Sequence, residues 1–200
     1  MKRFFKILVK FSLFILFSIL LLGGYVFLRY RSWEKDFERV IREEYLITQE
    51  NVATVSLEER LVEFVVSSSD TEFLELEVNE FGAILFDVLD GYTKEKPVLI
   101  GMYIYPADSK WVIYVKFEYK SIEVWFSIDL NKDSIQTAQL YTKEIYCGPF
   151  PIHNYTDWEE AINKGIADAI VTLNENGFVG RYIENIELLE DGIVFKGSRY

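Results

Sequence analysis

Cys147 and His153 are the only cysteine and the only histidine of the chain, and both lie in one stretch, Cys147-Gly148-Pro149-Phe150-Pro151-Ile152-His153. A thiol beside an imidazole is the minimum for nucleophilic catalysis, since the imidazole can draw the proton that makes the thiolate. The spacing matches no catalytic signature, and two residues do not define a triad. The plainer expectation is an inert thiol next to a loop histidine. A zinc site needs three or four nitrogen or sulfur ligands, and the sequence offers these two. None of the acids falls into a calcium-loop pattern, and there is no phosphate-binding glycine loop, dinucleotide fingerprint, serine elbow or H-E-x-x-H pair. Paired carboxylates of the glycosidase kind occur by chance among 32 acids. The expectation is therefore a non-catalytic protein with no metal and no cofactor. Asn154-Tyr155-Thr156 has the form of a glycosylation sequon, but Thr156 also serves as a helix cap.

The residues that could bind something are apolar. Trp111, Ile113, Val115 and Phe117 alternate along one predicted strand, and Val124, Phe126 and Ile128 along the next, so each set shares a strand face. Val112, Tyr114 and Trp125 fall on the opposite face. A sheet that is apolar on both sides needs two coverings. One comes from helices; the other is a second layer, a partner or an apolar ligand. The seven alternating residues are the candidate ligand-binding set, with a two-sided core as the competing reading.

Charge segregates along the chain. Residues 1–31 contain six basic side chains and no acid, which leaves 15 basic and 32 acidic in the remaining 169, a net of −17. Such a body is repelled by phosphate backbones, so no nucleic-acid partner is expected. Phe11 to Leu28 is a run of 18 uncharged residues. That is long enough to span a bilayer, and it lacks the short apolar core and small-residue end of a cleaved signal peptide. Tyr25, Tyr30 and Trp33 suit the interfacial belt. The basic residues are balanced across the span. The short N-terminus and long C-terminal body give the signal-anchor orientation, with the domain outside the cytoplasm of a single-pass cell-membrane protein. The expected divisions are a basic N-terminus at 1–10, a transmembrane helix at 11–28, a juxtamembrane segment at 29–50 and an acidic α+β domain at 51–200.

Within the juxtamembrane segment, Trp33, Phe37, Val40, Ile41 and Tyr45 make one stripe of a helix over 32–47. Ser56-Leu57-Glu58-Glu59 and Thr156-Asp157-Trp158-Glu159 are capping boxes. A further helix starts near Asn79, with Phe81, Ile84, Leu85, Val88 and Leu89 on its apolar side. Val98–Tyr105, Trp111–Tyr119, Ile122–Asp129 and Ser134–Tyr146 read as strands of an antiparallel meander. Arg181–Leu189 and Ile193–Lys196 read as a closing pair around Asp191-Gly192, and Phe73–Val78 as extended or leading into the helix. The fold class is α+β: an N-terminal transmembrane helix, then an antiparallel sheet with packed helices.

This order of features resembles small single-span bacterial envelope proteins of the YpmS-like type and, more loosely, TULIP-type lipid-binding modules. The stretches that carry the resemblance are Trp111–Asp129, Leu140–Pro151 with its strand running into a Gly-Pro loop, the helix Thr156–Leu173, and the ending Ile183–Phe195. The resemblance implies no catalytic residues. It implies an apolar groove between a curled sheet and its helix; the surplus of apolar strand faces leaves a lipid, and the acidic body with its juxtamembrane helix an envelope protein, as the expected partner. The sequence thus leaves two expected functions: an anchored module lending an acidic surface to an envelope assembly, and an anchored binder of lipid or another apolar ligand.

Overall fold

In the computed structural model, residues 2–42, 46–49, 58–92, 97–152, 156–172 and 180–199 are described. The chain divides into two units, Met1–Val40 and Ile41–Tyr200.

The first unit is one uninterrupted helix, α1, Lys2–Val40. Its 39 residues make a rod about 58 Å long, nearly twice the ~30 Å hydrocarbon core of a bilayer. The part from Lys10 onward is long and apolar enough to cross a membrane, and its most apolar window is 0% buried. Phe14, Phe17, Leu22 and Leu28 are each more than half exposed. Past the apolar run, Trp33 stacks on Phe37 with centroids 5.0 Å apart, and Arg31 pairs with Glu34 at 2.6 Å. The helix expected over 32–47 is the distal part of α1. It ends at Val40, while Leu46–Ile47 are a short strand, β1. No glycine or proline separates Leu28 from Trp33, so nothing stops the helix between the two stripes.

The second unit is α+β. Its larger sheet has the order β1-β3-β4-β5-β6-β7, built from β3 Val98–Ala107, β4 Lys110–Tyr119, β5 Ile122–Lys132, β6 Leu140–Cys147 and β7 Phe150–Pro151. All neighbours are antiparallel. The β4–β5 link is Lys120-Ser121, with φ of 50° and 62°, the double positive φ that a two-residue hairpin demands. Asp133 begins the next connection: its carboxylate accepts the amides of Ile135 and Gln136 at 2.7 and 2.8 Å. That turn delays β6 to Leu140, six residues later than the composition suggested.

A second sheet has the order β2-β9-β8, with β2 Thr71–Glu77, β8 Arg181–Leu188 and β9 Gly192–Arg199. The expected closing hairpin β8–β9 is present, and it gains β2 from the other end of the domain on its far side. Gly192 sits where a Cβ would lie 2.3 Å from the Leu76 carbonyl oxygen, so only glycine admits the close approach of β2.

Helices pack on these sheets. α2, Glu58–Val66, precedes β2, and α3, Val78–Tyr92, follows it without a loop. The Glu80 carboxylate accepts the Glu77 amide at 2.9 Å, half of a capping box at the start of α3. The apolar side of α3 is broader than the predicted stripe. Phe86 is 2% exposed, while Ile84 turns out at 39%. The helix packs against both sheets, so its buried arc exceeds that of a one-sided helix. α4, Thr156–Thr172, lies along β6. The side-chain amide of Asn163 accepts the Thr142 N–H at 2.7 Å and donates to the Thr142 carbonyl at 3.0 Å. It thereby completes the strand edge in the way a further peptide would. The expected caps at Ser56 and Thr156 and the helix end at Asn176-Gly177 involve positions or side chains outside the described residues.

Candidate interaction surface

Registry brings the seven predicted apolar residues onto one sheet face. Ile113 stands opposite Ile128, Val115 opposite Phe126, and Phe117 opposite Val124, with Trp111 opposite Leu130. That face looks into the domain. Trp111, Ile113 and Val115 are 0%, 2% and 8% exposed, and they belong to one continuous core with Phe86 of α3 and Ile186, Leu188, Ile193 and Phe195 of the second sheet. Phe117, Phe126 and Ile128 are half-buried against that core, and Val124 is half-buried too. Trp111 meets Phe81 edge-on at 5.6 Å, and its indole N–H donates to the Leu189 carbonyl at 2.8 Å. The side chain thus joins the first sheet to α3 and to the β8–β9 turn. Further backbone bonds follow the same seam: Ser109 N–H to Leu188 O at 2.8 Å and Ile186 N–H to Thr137 O at 2.9 Å.

Cys147 is half-buried at the end of β6 on the same face as Phe126. Burial pushes its thiol pKa up, away from the thiolate that nucleophilic chemistry requires. His153 lies outside the described residues. Among the described residues no group of three His, Cys, Asp or Glu side chains is placed to hold a metal ion.

A polar anchor that sequence reasoning missed is Arg181. It is 1% exposed, and its guanidinium donates to the carbonyls of Ser67 at 2.9 Å, Ser69 at 2.8 Å and Gly197 at 3.3 Å, with the Phe64 ring 5.7 Å away. Ser67 and Ser69 lie just past the C-terminus of α2, the negative end of its dipole, and Gly197 lies in β9. Only the chain reversal of β2 brings residue 181 to residue 67, and no local pattern encodes that.

The second sheet has one face in the core and one outside. Along its outer face Phe73 stands across from Lys196, Glu75 from Val194, Val194 from Glu187, and Ser198 from both Thr71 and Tyr182. Phe73 is 53% exposed and Tyr182 38%. Glu75, Glu77 and Glu187 are exposed. Glu184 sits at the β8 bulge and reaches Lys196 at 2.8 Å and the Ser198 hydroxyl at 2.6 Å. Those two bonds, the lysine's first, hold its carboxyl below the usual range. The outward side chains of the three strands thus set four carboxylates against one ammonium.

The sequence matches no protein-family model, no curated protein and no solved structure.

Proposed function

We propose that the chain is a membrane-anchored, non-catalytic interaction module whose acidic domain lends a surface to an assembly at the cell envelope. The observation that carries the reading is the division of the molecule. An exposed apolar helix long enough to cross a bilayer stands at one end, and the rest carries a net charge of −17, 15 basic against 32 acidic residues. Transfer of the apolar helix surface from water is worth roughly 25 cal/mol per Å², enough to hold the protein at the membrane. The acidic body stays in water and is repelled by anionic headgroups. The burial of Trp111, Ile113 and Val115 in the core favours a protein partner over a lipid held on that sheet face. Burial raises the Cys147 thiol pKa and so disfavours its thiolate, which supports the non-catalytic reading.

The test has two parts. The full-length protein should remain in the membrane pellet after alkaline carbonate washing, and an impermeant maleimide should label a Cys147→Ser chain carrying Ser134→Cys in intact cells. A photocrosslinking residue placed in turn at exposed positions of the domain should then join it to a defined protein in native membranes. Recovery in the aqueous fraction defeats the anchor. Absence of a crosslinked partner from every exposed position defeats the interaction reading.

A further inference from the structure

We infer that β1 is an exchangeable strap, and that the seat it holds at the β3 edge and in a notch at Gly82 takes an extended apolar segment of a partner protein in its place. The inference rests on the interaction reading above and names its surface and the chemistry of its partner.

β1 pairs through two residues, Leu46 with Tyr103 and Ile47 with Met102. Ile47 shares the core face with Met102 and is 2% exposed. Its tip enters a notch in α3 that exists because residue 82 is glycine. A Cβ there would overlap the Ile47 Cδ1 and lie 3.1 Å from the Ile104 Cδ1. β1 therefore displays the chemistry of its own competitor: a segment antiparallel to β3 that sets one isoleucine into the notch. β3 offers such a segment more ladder than β1 uses. Its edge runs from the bulge next to Gly101 to Tyr105, before Pro106 removes an N–H, and β1 takes Met102 and Tyr103 of it. A partner with the same isoleucine and a longer pairing gains rungs that β1 lacks.

The other sheet edges are closed by the domain itself. On β6, Asn163 takes both backbone groups of Thr142. On β2, the Glu72 and Glu80 carboxylates accept the Phe73 and Glu77 amides at 3.3 and 2.9 Å. On β8, Ile186 and Leu188 bond to Thr137 and Ser109. A bare edge invites pairing. Among the described residues, β3 alone has its outer edge covered by a two-residue strand that does not neighbour it in sequence. A second copy's β1 would fit the same seat, but two bodies of net charge −17 repel each other.

The probe is a fluorescein-labelled peptide copying residues 43–50 of the chain. It is titrated by anisotropy against the full chain in nanodiscs of zwitterionic phosphatidylcholine, with empty nanodiscs as baseline. In the unaltered chain it competes with β1, whose effective concentration is about millimolar, so weak binding is expected. Ile47→Ser in the chain should tighten binding by at least about tenfold. Adding Gly82→Ala to that chain should abolish the gain. A peptide carrying Ile47→Val, which lacks the overlapping Cδ1, should bind the Gly82→Ala chain better than the original peptide does. Bound peptide should slow amide hydrogen exchange in β3, while slow exchange in β4 and β5 reports that each variant is folded. Ile47→Ala replaces Ile47→Ser if the latter fails that check. In native membranes a photocrosslinking residue at Val98 or Tyr105, both exposed on β3, should reach the partner. No binding to the unaltered chain at millimolar peptide, no gain with Ile47→Ser, indifference to Gly82→Ala, or protection confined to other strands overturns the inference. Crosslinking to a second copy alone overturns the choice of a partner protein. A partner reached only from Ile135 or Val171, with no peptide bound at β3, would sink this inference and leave the interaction reading standing. No crosslink anywhere would sink that reading itself.

Discussion

Arg181 carries a charge into the interior and spends it on backbone carbonyls rather than on a carboxylate. Two of its three acceptors, the carbonyls of Ser67 and Ser69, also end α2, so the side chain is both a buried polar group and a helix cap. Arg199 also donates to the Ser67 carbonyl at 2.8 Å, so removing Arg181 takes the guanidinium donor from the Ser69 and Gly197 carbonyls and leaves the Ser67 carbonyl its second one. Arg181→Met should lower the unfolding free energy by about 2–4 kcal/mol, read as a shift of the urea midpoint at unchanged slope with the full chain in neutral micelles. Cys147 makes the opposite case of a reactive residue type in an unreactive place. With its pKa raised by burial, iodoacetamide at pH 8 should modify it many times more slowly in the folded protein than in urea, by mass spectrometry. Tyr146 hydrogen-bonds to Glu144, which with minor help from burial pushes its pKa up to about 12. That contribution to stability is present below the ordinary tyrosine value and lost as pH rises through about 12.

Elements are joined here by close approach as much as by apolar burial. α2 rests on β9 because Gly197 has no side chain: a Cβ there would lie 2.4 Å from the Phe64 ring. Gly197→Ala should destabilise the fold by about 1–3 kcal/mol. Phe64→Leu, which shortens the side chain, should recover part of that loss when combined with it. The comparison of single and double variants by chemical denaturation measures this coupling; strict additivity would show that the ring does not fill the glycine's space. The alternation in β3, β4 and β5 made the meander legible, because a half-buried strand writes its period into the sequence. β2 was not legible. TEFLELE alternates weakly beside a helix start, and its strand state is decided by β9, more than a hundred residues away.

For the molecule as a whole, acidity sets the behaviour with pH. Among the described residues, three carboxyls outside the apolar span have lowered pKa values. Glu72 is held by the Ser67 hydroxyl and then the Phe73 amide, Glu184 by Lys196 and then Ser198, and Asp133 by the amides of Gln136 and Ile135. A carboxyl that is more acidic folded than unfolded stabilises the fold above its ordinary value and loses that contribution as pH falls through the lowered one. Stability should therefore hold from neutral pH to about pH 4.5 and fall progressively below about pH 4, followed by tryptophan emission across a pH series. Glu184→Gln should flatten that acid limb. An unchanged limb would mean that other carboxyls control it.

The sequence by itself determined the α+β class, the apolar helix at the N-terminus and the meander, though not the β5–β6 connection, because each depends on periodicity or on turn chemistry within a few residues. It also placed Trp111, Ile113, Val115, Phe117, Val124, Phe126 and Ile128 on common strand faces. It left open what those faces look at. Only the tertiary structure decided that this face is the inside of a core shared with a second sheet, and that the exposed acidic and aromatic face belongs to β2, β9 and β8. The reason is physical. Alternation fixes which residues point together, while the direction in which they point is fixed by what else the chain can bring to cover them, and here that covering comes from strands at opposite ends of the domain.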